Sequence, residues 1–119
     1  MSALVSVIIP AYNAASTIRS TLDSVCRQTW DDLEVILVDD GSTDGSADIA
    51  EAYGDEKLTV IRTHNGGACR ARNLGIRAAK GDYYQFIDAD DQLKANKIEL
   101  QMNALTTSDD HRAVAYGPW

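Results

Sequence analysis

Asp88-Ala89-Asp90 sets two carboxylates at i and i+2 just after a short aromatic and β-branched run, and a third acid, Asp91, follows at once. On a loop, carboxylates so spaced can converge on one hard cation and leave coordination positions open. Magnesium or manganese suits such a set, because these ions take one or two carboxylates together with waters and phosphate oxygens. The implied ligand is a diphosphate. The competing reading is a solvated acidic loop, or Asp91 acting as a helix cap. A second pair, Asp39-Asp40, stands before Gly41-Ser42 at the end of the apolar run Leu33 to Val38. A carboxylate there can accept hydrogen bonds from a base edge or a ribose hydroxyl, and a turn cap is the alternative.

Tyr12 stands just beyond Pro10 at the end of the first apolar run, and its ring serves either stacking against a base or ordinary packing. Arg70 and Arg72 follow Gly66-Gly67 at an expected helix start, where backbone amides, the helix dipole and guanidinium forks favour anions. Two apart on a helix, they cannot point the same way, so one is expected to be structural. Asn65 and Asn73 are polar candidates whose alternatives are turn formation and helix exposure. His64 and His111 read as surface residues, and Trp30 and Trp119 have no assigned task.

To bring these groups together, the intervening elements must deliver them to one rim. Leu4 to Pro10 is short, β-branched and nearly all apolar, which predicts a strand buried on both faces, as in parallel sheets. Asn13 is expected to cap a helix whose apolar face carries Ile18, Leu22, Val25 and Cys26, with Arg19, Asp23 and Arg27 opposite. Leu33 to Val38 is a second buried strand. Ser42-Thr43-Asp44-Gly45-Ser46 supplies turn and cap residues, and Ile49, Ala50 and Tyr53 share a helical face ending near Gly54. Leu58 to Arg62 is a third strand. A helix with Ala71, Leu74 and Ala78 on one side is expected to close on Lys80-Gly81. Tyr83 to Ile87 is a fourth strand, Ile98, Met102 and Leu105 mark another amphipathic helix, and Ala113 to Tyr116 begins a further strand. Four strand–helix alternations specify a parallel, right-handed α/β layer fold, with ligands beyond the carboxyl ends of the strands.

Bulk properties bound the function. A chain of 119 residues, 45% hydrophobic and 24% charged, has the composition of one soluble globular domain or a piece of one. A formal charge of -7 argues against a general nucleic-acid surface, which would need clustered Lys and Arg. Cys26 and Cys69 are too few for a disulfide framework and lack ligand spacing, so a reducing setting is expected. The first apolar run is far shorter than the ~20 residues that span a bilayer, and no signal peptide is read at the start.

Taken in order, SVIIPAYN, VILVDDGSTDGS and NGGACRARNLGIRAAKGDYYQFIDADD resemble the opening motifs of family 2 of the glycosyltransferases, over nearly the whole chain. The resemblance implies a GT-A fold: a mostly parallel, Rossmann-like sheet flanked by helices. Residues 1–119 would form its nucleotide-diphosphate-sugar-binding part, with the acceptor-binding part absent. The implied reaction is inverting, metal-assisted sugar transfer from a nucleotide-diphosphate sugar, often UDP-linked, to an acceptor hydroxyl in polysaccharide or glycan synthesis. Carried over, Pro10 and Tyr12 would meet the base, with Tyr12 stacking, while Asp40 would bind the uracil edge and Asp39 would support the loop. Arg72 would lie near the diphosphate. Asp88 would approach the ribose or metal-bound waters, Asp90 would ligate Mg2+ or Mn2+ directly, and Asp91 would orient the loop or cap the next helix.

Family members carry the general base in a later segment, and no residue here matches it, so the chain is expected to bind donor with little or no transfer. The expected partners are a UDP-sugar, a glycan or lipid-linked acceptor in the full-length protein, and a second copy of the chain through exposed sheet edges. No nucleic-acid partner is expected. The expected location is cytoplasmic, with peripheral association at the inner membrane face. Three other classes compete. A noncatalytic nucleotide-binding fragment gives nearly the same expectation without turnover. A receiver-type signalling module would need its acidic pair after the first strand and an Asp after the third, where this chain has Pro10-Ala11-Tyr12-Asn13 and Arg62-Thr63-His64. A dinucleotide-binding oxidoreductase would need GxGxxG after the first strand, which is absent.

Overall fold

Strands that are apolar on both faces need helices on both sides, and the chain alternates accordingly. The computed structural model describes residues 3–106. Its elements are β1 (Val5–Ala11), α1 (Ile18–Cys26), β2 (Leu33–Asp40), α2 (Ser46–Tyr53), β3 (Leu58–Thr63), α3 (Ala68–Ala78), β4 (Tyr83–Phe86) and α4 (Lys97–Thr106). Among the described residues the strands form one sheet in the order β3-β2-β1-β4, with every pairing parallel. This is the expected parallel α/β architecture. After β3 the chain crosses to the far side of β1. The strand order therefore reverses between β1 and β4, and a crevice opens there beyond their carboxyl ends.

Period-two alternation sorts the side chains into two layers. Val5, Val7, Ile9, Val35 and Leu37 join Ile18, Leu22 and Val25 of α1, Ala50 of α2, and Ile98 and Met102 of α4 in the larger core. Ile18, Leu22 and Val25 have no exposed surface, so each contributes about 1.5–3 kcal/mol by burial. On the opposite face Ile36 and Val38 meet Ala71 of α3, with Ile61 and Leu74 packed beside them. There Gly75 lets α3 approach β1: a Cβ on it would fall 2.5 Å from Cγ2 of Ile8.

Four local expectations change. Asn13 does not cap α1, whose N-cap is Thr17, because Asn13 has φ 49° and turns its side chain to the β2 loop. Asp91 does not cap α4, which starts six residues later at Lys97. Gly81 does not close α3, which ends at Ala78 with an extended Ala79. Instead the Gly81 N–H donates to Ser6 Oγ at 2.9 Å. Ala78 is exposed, its place on the packed face taken by Gly75 one turn earlier. The Ala113 to Tyr116 strand, His111, Trp119 and the side chain of Leu105 lie outside the described residues.

Candidate functional site

The parity that builds the two layers also separates the two acids at the end of β2. Asp39 continues the Val35, Leu37 series and Asp40 the Ile36, Val38 series, so Asp40 turns toward α3. Both acids are only 4% exposed. Asp40 accepts the Gly66 N–H on Oδ1 at 2.8 Å and the Gly67 N–H on Oδ2 at 3.0 Å, and its carbonyl accepts Asn65 Nδ2 at 3.1 Å. It thereby buckles the glycine loop that starts α3 to the end of β2. Gly41 permits this close approach. It has φ +76°, and a Cβ there would meet Asn65 N at 2.7 Å. Asp39 accepts the Ser42 N–H on Oδ2 at 3.1 Å, while its Oδ1 is buried without a hydrogen-bond partner.

The loop after β2 also holds the loop after β1. Asn13 N donates to Ser42 Oγ at 2.8 Å, Ala14 N to Ser46 Oγ at 2.8 Å and Ala15 N to Asp44 Oδ2 at 3.0 Å, while Asn13 Oδ1 accepts Thr43 N at 2.8 Å. The hydrogen bond from Ser46, followed by that from the Ala15 amide, holds the Asp44 carboxyl below its usual range. Laced in this way, the segment presents Tyr12 at 54% exposure, an open ring face rather than a packed one.

A cavity of about 100 Å³ lies beside Tyr12, lined by Pro10, Ala11, Tyr12, Asp40, Ala68 and Asp88. An adjoining cleft of about 390 Å³ shares Pro10 and Tyr12 and reaches Ala89 and Asp90. Its size falls in the ~300–1,000 Å³ range of small-ligand sites.

Asp88, Asp90 and Asp91 each present a carboxylate oxygen, and these oxygens lie within 4.8 Å of one another. Partial burial, then the charges of Asp90 and Asp88, raise Asp91 above its ordinary carboxylate value. Three hard oxygen donors so crowded fit a divalent cation such as Mg2+ or Mn2+. Asp91 N donates to Asp88 O at 3.0 Å, which closes the turn and brings the acids together. Across the crevice, Arg72 Nη2 lies 3.9 Å from Asp88 Oδ1, with both side chains substantially exposed. Arg70 is the structural member of its pair: Nη1 donates to Thr63 Oγ1 at 3.0 Å and to His64 O at 2.9 Å.

The structure thus brings Pro10, Tyr12, Asp40, Arg72, Asp88 and Asp90 to one rim, and leaves Asp39 supporting the loop behind it. Asn73 and His64 are exposed, and Trp30 donates from Nε1 to Ala3 O at 3.0 Å. In the sequence, Ser42, Asp44 and Ser46 have the types of turn and cap residues only. Their role as acceptors for the β1 loop had no signal beyond their residue types. Thr17, Thr21, Ser24 and Gln28 carry no expected role, although their helical spacing is visible in the sequence.

A parallel sheet with its reversal crevice flanked by an aromatic face, an acid-lined pocket, a helix start and a carboxylate cluster defines an α/β ligand-binding domain of the nucleotide-binding type. The profile of "Glycosyl transferase family 2" matches residues 6–117, and the chain belongs to that family. Glycosyltransferase GlyG of Streptococcus pneumoniae is 43% identical over 112 residues, which cover 92% of this chain and 37% of the relative. TarS 1-349 of S. aureus, solved in complex with UDP, superposes with a TM-score of 0.81 at 30% identity, over 87% of this chain and 32% of that one. The mannosyltransferase PcManGT of Pyrobaculum calidifontis, in complex with GDP-Man and Mn2+, gives 0.80 at 32% identity, over 92% and 33%. These likenesses establish the GT-A glycosyltransferase fold. The chain spans well under half the length of the curated relatives it matches.

Proposed function

We propose that the chain is the donor-binding part of an inverting, metal-assisted glycosyltransferase that takes a nucleotide-diphosphate sugar, of the UDP class, for polysaccharide or glycan synthesis. The observation that carries this reading is the shared rim. The pocket lined by Tyr12 and Asp40 opens beside three carboxylates whose oxygens lie within 4.8 Å of one another. Tyr12 stacks on the base, and Asp40 uses lone pairs left over from Gly66 and Gly67 to meet the base edge. The start of α3 and Arg72 attract the diphosphate through amides, dipole and guanidinium charge. Asp90, with Asp88, holds a Mg2+ or Mn2+ ion. The chemistry such an ion supplies is neutralisation of the charge that builds on the departing nucleoside diphosphate. Complexes of relatives with UDP and with GDP-Man and Mn2+ support this assignment.

Transfer also requires a base that takes the proton from the acceptor hydroxyl. The chain spans well under half the length of its curated relatives, and on this reading the base and the glycan or lipid-linked acceptor site belong to the remainder of the full-length protein, while the chain alone binds donor without turnover. Free Cys26 and Cys69 support a reducing, cytoplasmic setting, with attachment at the inner membrane face through the acceptor. No helix among the described residues is long and apolar enough to cross a membrane. With β3 and β4 as the sheet edges among the described residues, the chain is further proposed to self-associate, and sedimentation as a strict monomer at high concentration would remove that part.

Calorimetric titration of UDP with and without Mn2+ tests the reading. Binding that strengthens with metal supports it; binding indifferent to metal, or labelling of an Asp by acetyl phosphate, overturns it.

A further inference from the structure

Four polar side chains run along α1 and its two ends at i, i+4, i+7 and i+11: Thr17, Thr21, Ser24 and Gln28. They lie beside the apolar stripe, and every one is bonded to the backbone of residues 89–98. Thr17 Oγ1 donates to Ala89 O at 3.0 Å. Thr21 Oγ1 lies 2.8 Å from Ala89 O and 2.7 Å from Asp91 O, so its single proton serves both carbonyls. Ser24 Oγ accepts the Leu93 N–H at 3.1 Å. Gln28 Nε2 donates to Lys94 O at 2.7 Å, and its Oε1 accepts the Ile98 N–H, in the first turn of α4, at 3.0 Å. Thr21 and Gln28 are buried, at 1% and 6% exposure.

A loop of solvated acids would need no such anchoring. Three adjacent carboxylates repel one another, and a short loop relieves that repulsion by splaying unless its backbone is held. The carbonyls of Ala89 and Asp91 belong to the turn that carries Asp88, Asp90 and Asp91, so fixing these peptide planes fixes where the side chains leave the backbone.

We infer that Thr17, Thr21, Ser24 and Gln28 form a positioning stripe that holds the Asp88–Asp91 turn with its carboxylates converged, and thereby sets the affinity for a divalent cation. The inference rests on the functional reading above and deepens it. None of the four is among the clustered carboxylates; Thr17 lines the cleft beside Ala89 and Asp90, whereas Thr21, Ser24 and Gln28 act only through main-chain groups. Their effect on metal affinity belongs with other partners that orient ligands without touching the ion, whose loss weakens binding by about 10–100-fold.

The test compares the full chain with Thr21→Val, which keeps the shape and removes the hydroxyl, and Thr21→Ser, which restores it. Free Mn2+ is read by electron paramagnetic resonance at saturating UDP, and amide exchange is read at Asp91 and Leu93, with Ile36 reporting the intact sheet. Thr21→Val is expected to weaken Mn2+ by about tenfold or more, to speed exchange at Asp91 and to leave Ile36 protected, while Thr21→Ser recovers both. Ser24→Ala, which frees the Leu93 amide, gives the same pattern if Thr21→Val does not fold. Faster exchange with unchanged Mn2+ affinity would reduce the stripe to a structural tie and overturn the inference, as would unchanged exchange. A wild-type chain that binds neither UDP nor Mn2+ would instead sink the functional reading, and this inference with it.

Discussion

Replacing Asp40 with Asn keeps the side-chain shape and changes only what its two ends offer. In the wild type both oxygens accept backbone amides, from Gly66 at 2.8 Å and Gly67 at 3.0 Å, in a site only 4% exposed. An amide has one acceptor oxygen, so its NH2 end must face one of the two glycine N–H groups, donor against donor. Hydrogen bonds to a charged group contribute about 1.5–3 kcal/mol each, and a buried unpaired N–H costs about 1–3 kcal/mol. With one bond retained in weaker form, the expected loss is about 2–4 kcal/mol from a total of about 5–15 kcal/mol. At about 4 °C per kcal/mol for a domain of this size, Tm should fall by about 8–16 °C. Asp39→Asn supplies the contrast, since Asp39 accepts one protein hydrogen bond and has a buried, unpartnered Oδ1. It should change stability by less than about 1 kcal/mol. Thermal unfolding followed by circular dichroism, with amide exchange at Gly66 and Gly67, measures both. Equal losses from the two variants, or an Asp40→Asn melt indistinguishable from wild type, would refute the buckle.

Tyr12→Ala should weaken UDP binding by about 1–3 kcal/mol, the usual worth of base–aromatic stacking, and leave Tm nearly unchanged because the ring is 54% exposed; titration calorimetry beside a thermal melt checks both. Gly41→Ala should destabilise the chain by about 1–3 kcal/mol in urea unfolding, since φ +76° and the 2.7 Å approach to Asn65 N both oppose a Cβ. Asp44 has a depressed carboxyl, so its contribution is full above the ordinary carboxyl range and is lost as pH falls through the lower folded value. The urea midpoint should therefore drop in that acid window, and Asp44→Asn should flatten the drop.

Much of this arrangement was legible because strand parity is strict. Once Leu33 to Val38 is taken as a doubly buried strand, Asp39 and Asp40 must face opposite layers, and reversal of strand order puts β1 and β4 at the crevice. Residue type alone hid the rest. Thr17, Thr21, Ser24 and Gln28 look like an indifferent polar flank of α1, and their partners are main-chain groups 66 to 72 residues further along. No side-chain pattern in 89–98 announces those groups. Gly81 resembled a helix stop because it follows Lys80. Its reason lies instead at β1, where a Cβ would fall 2.4 Å from Ser6 Oγ. Asn13 has the residue type of a cap, whereas its positive φ turns it into a tie for Thr43.

In the proposed function, the carboxylates beyond β4 couple a divalent cation to nucleotide bound beside Tyr12. This coupling is tested most directly by the ratio of UDP dissociation constants without and with Mn2+, measured for wild type and for Asp90→Asn. The ratio is expected to lie well above unity in the wild type and to collapse to unity in Asp90→Asn, with both proteins equally folded and their metal-free affinities alike. An Asp90→Asn chain that kept the full metal enhancement would contradict the coupling.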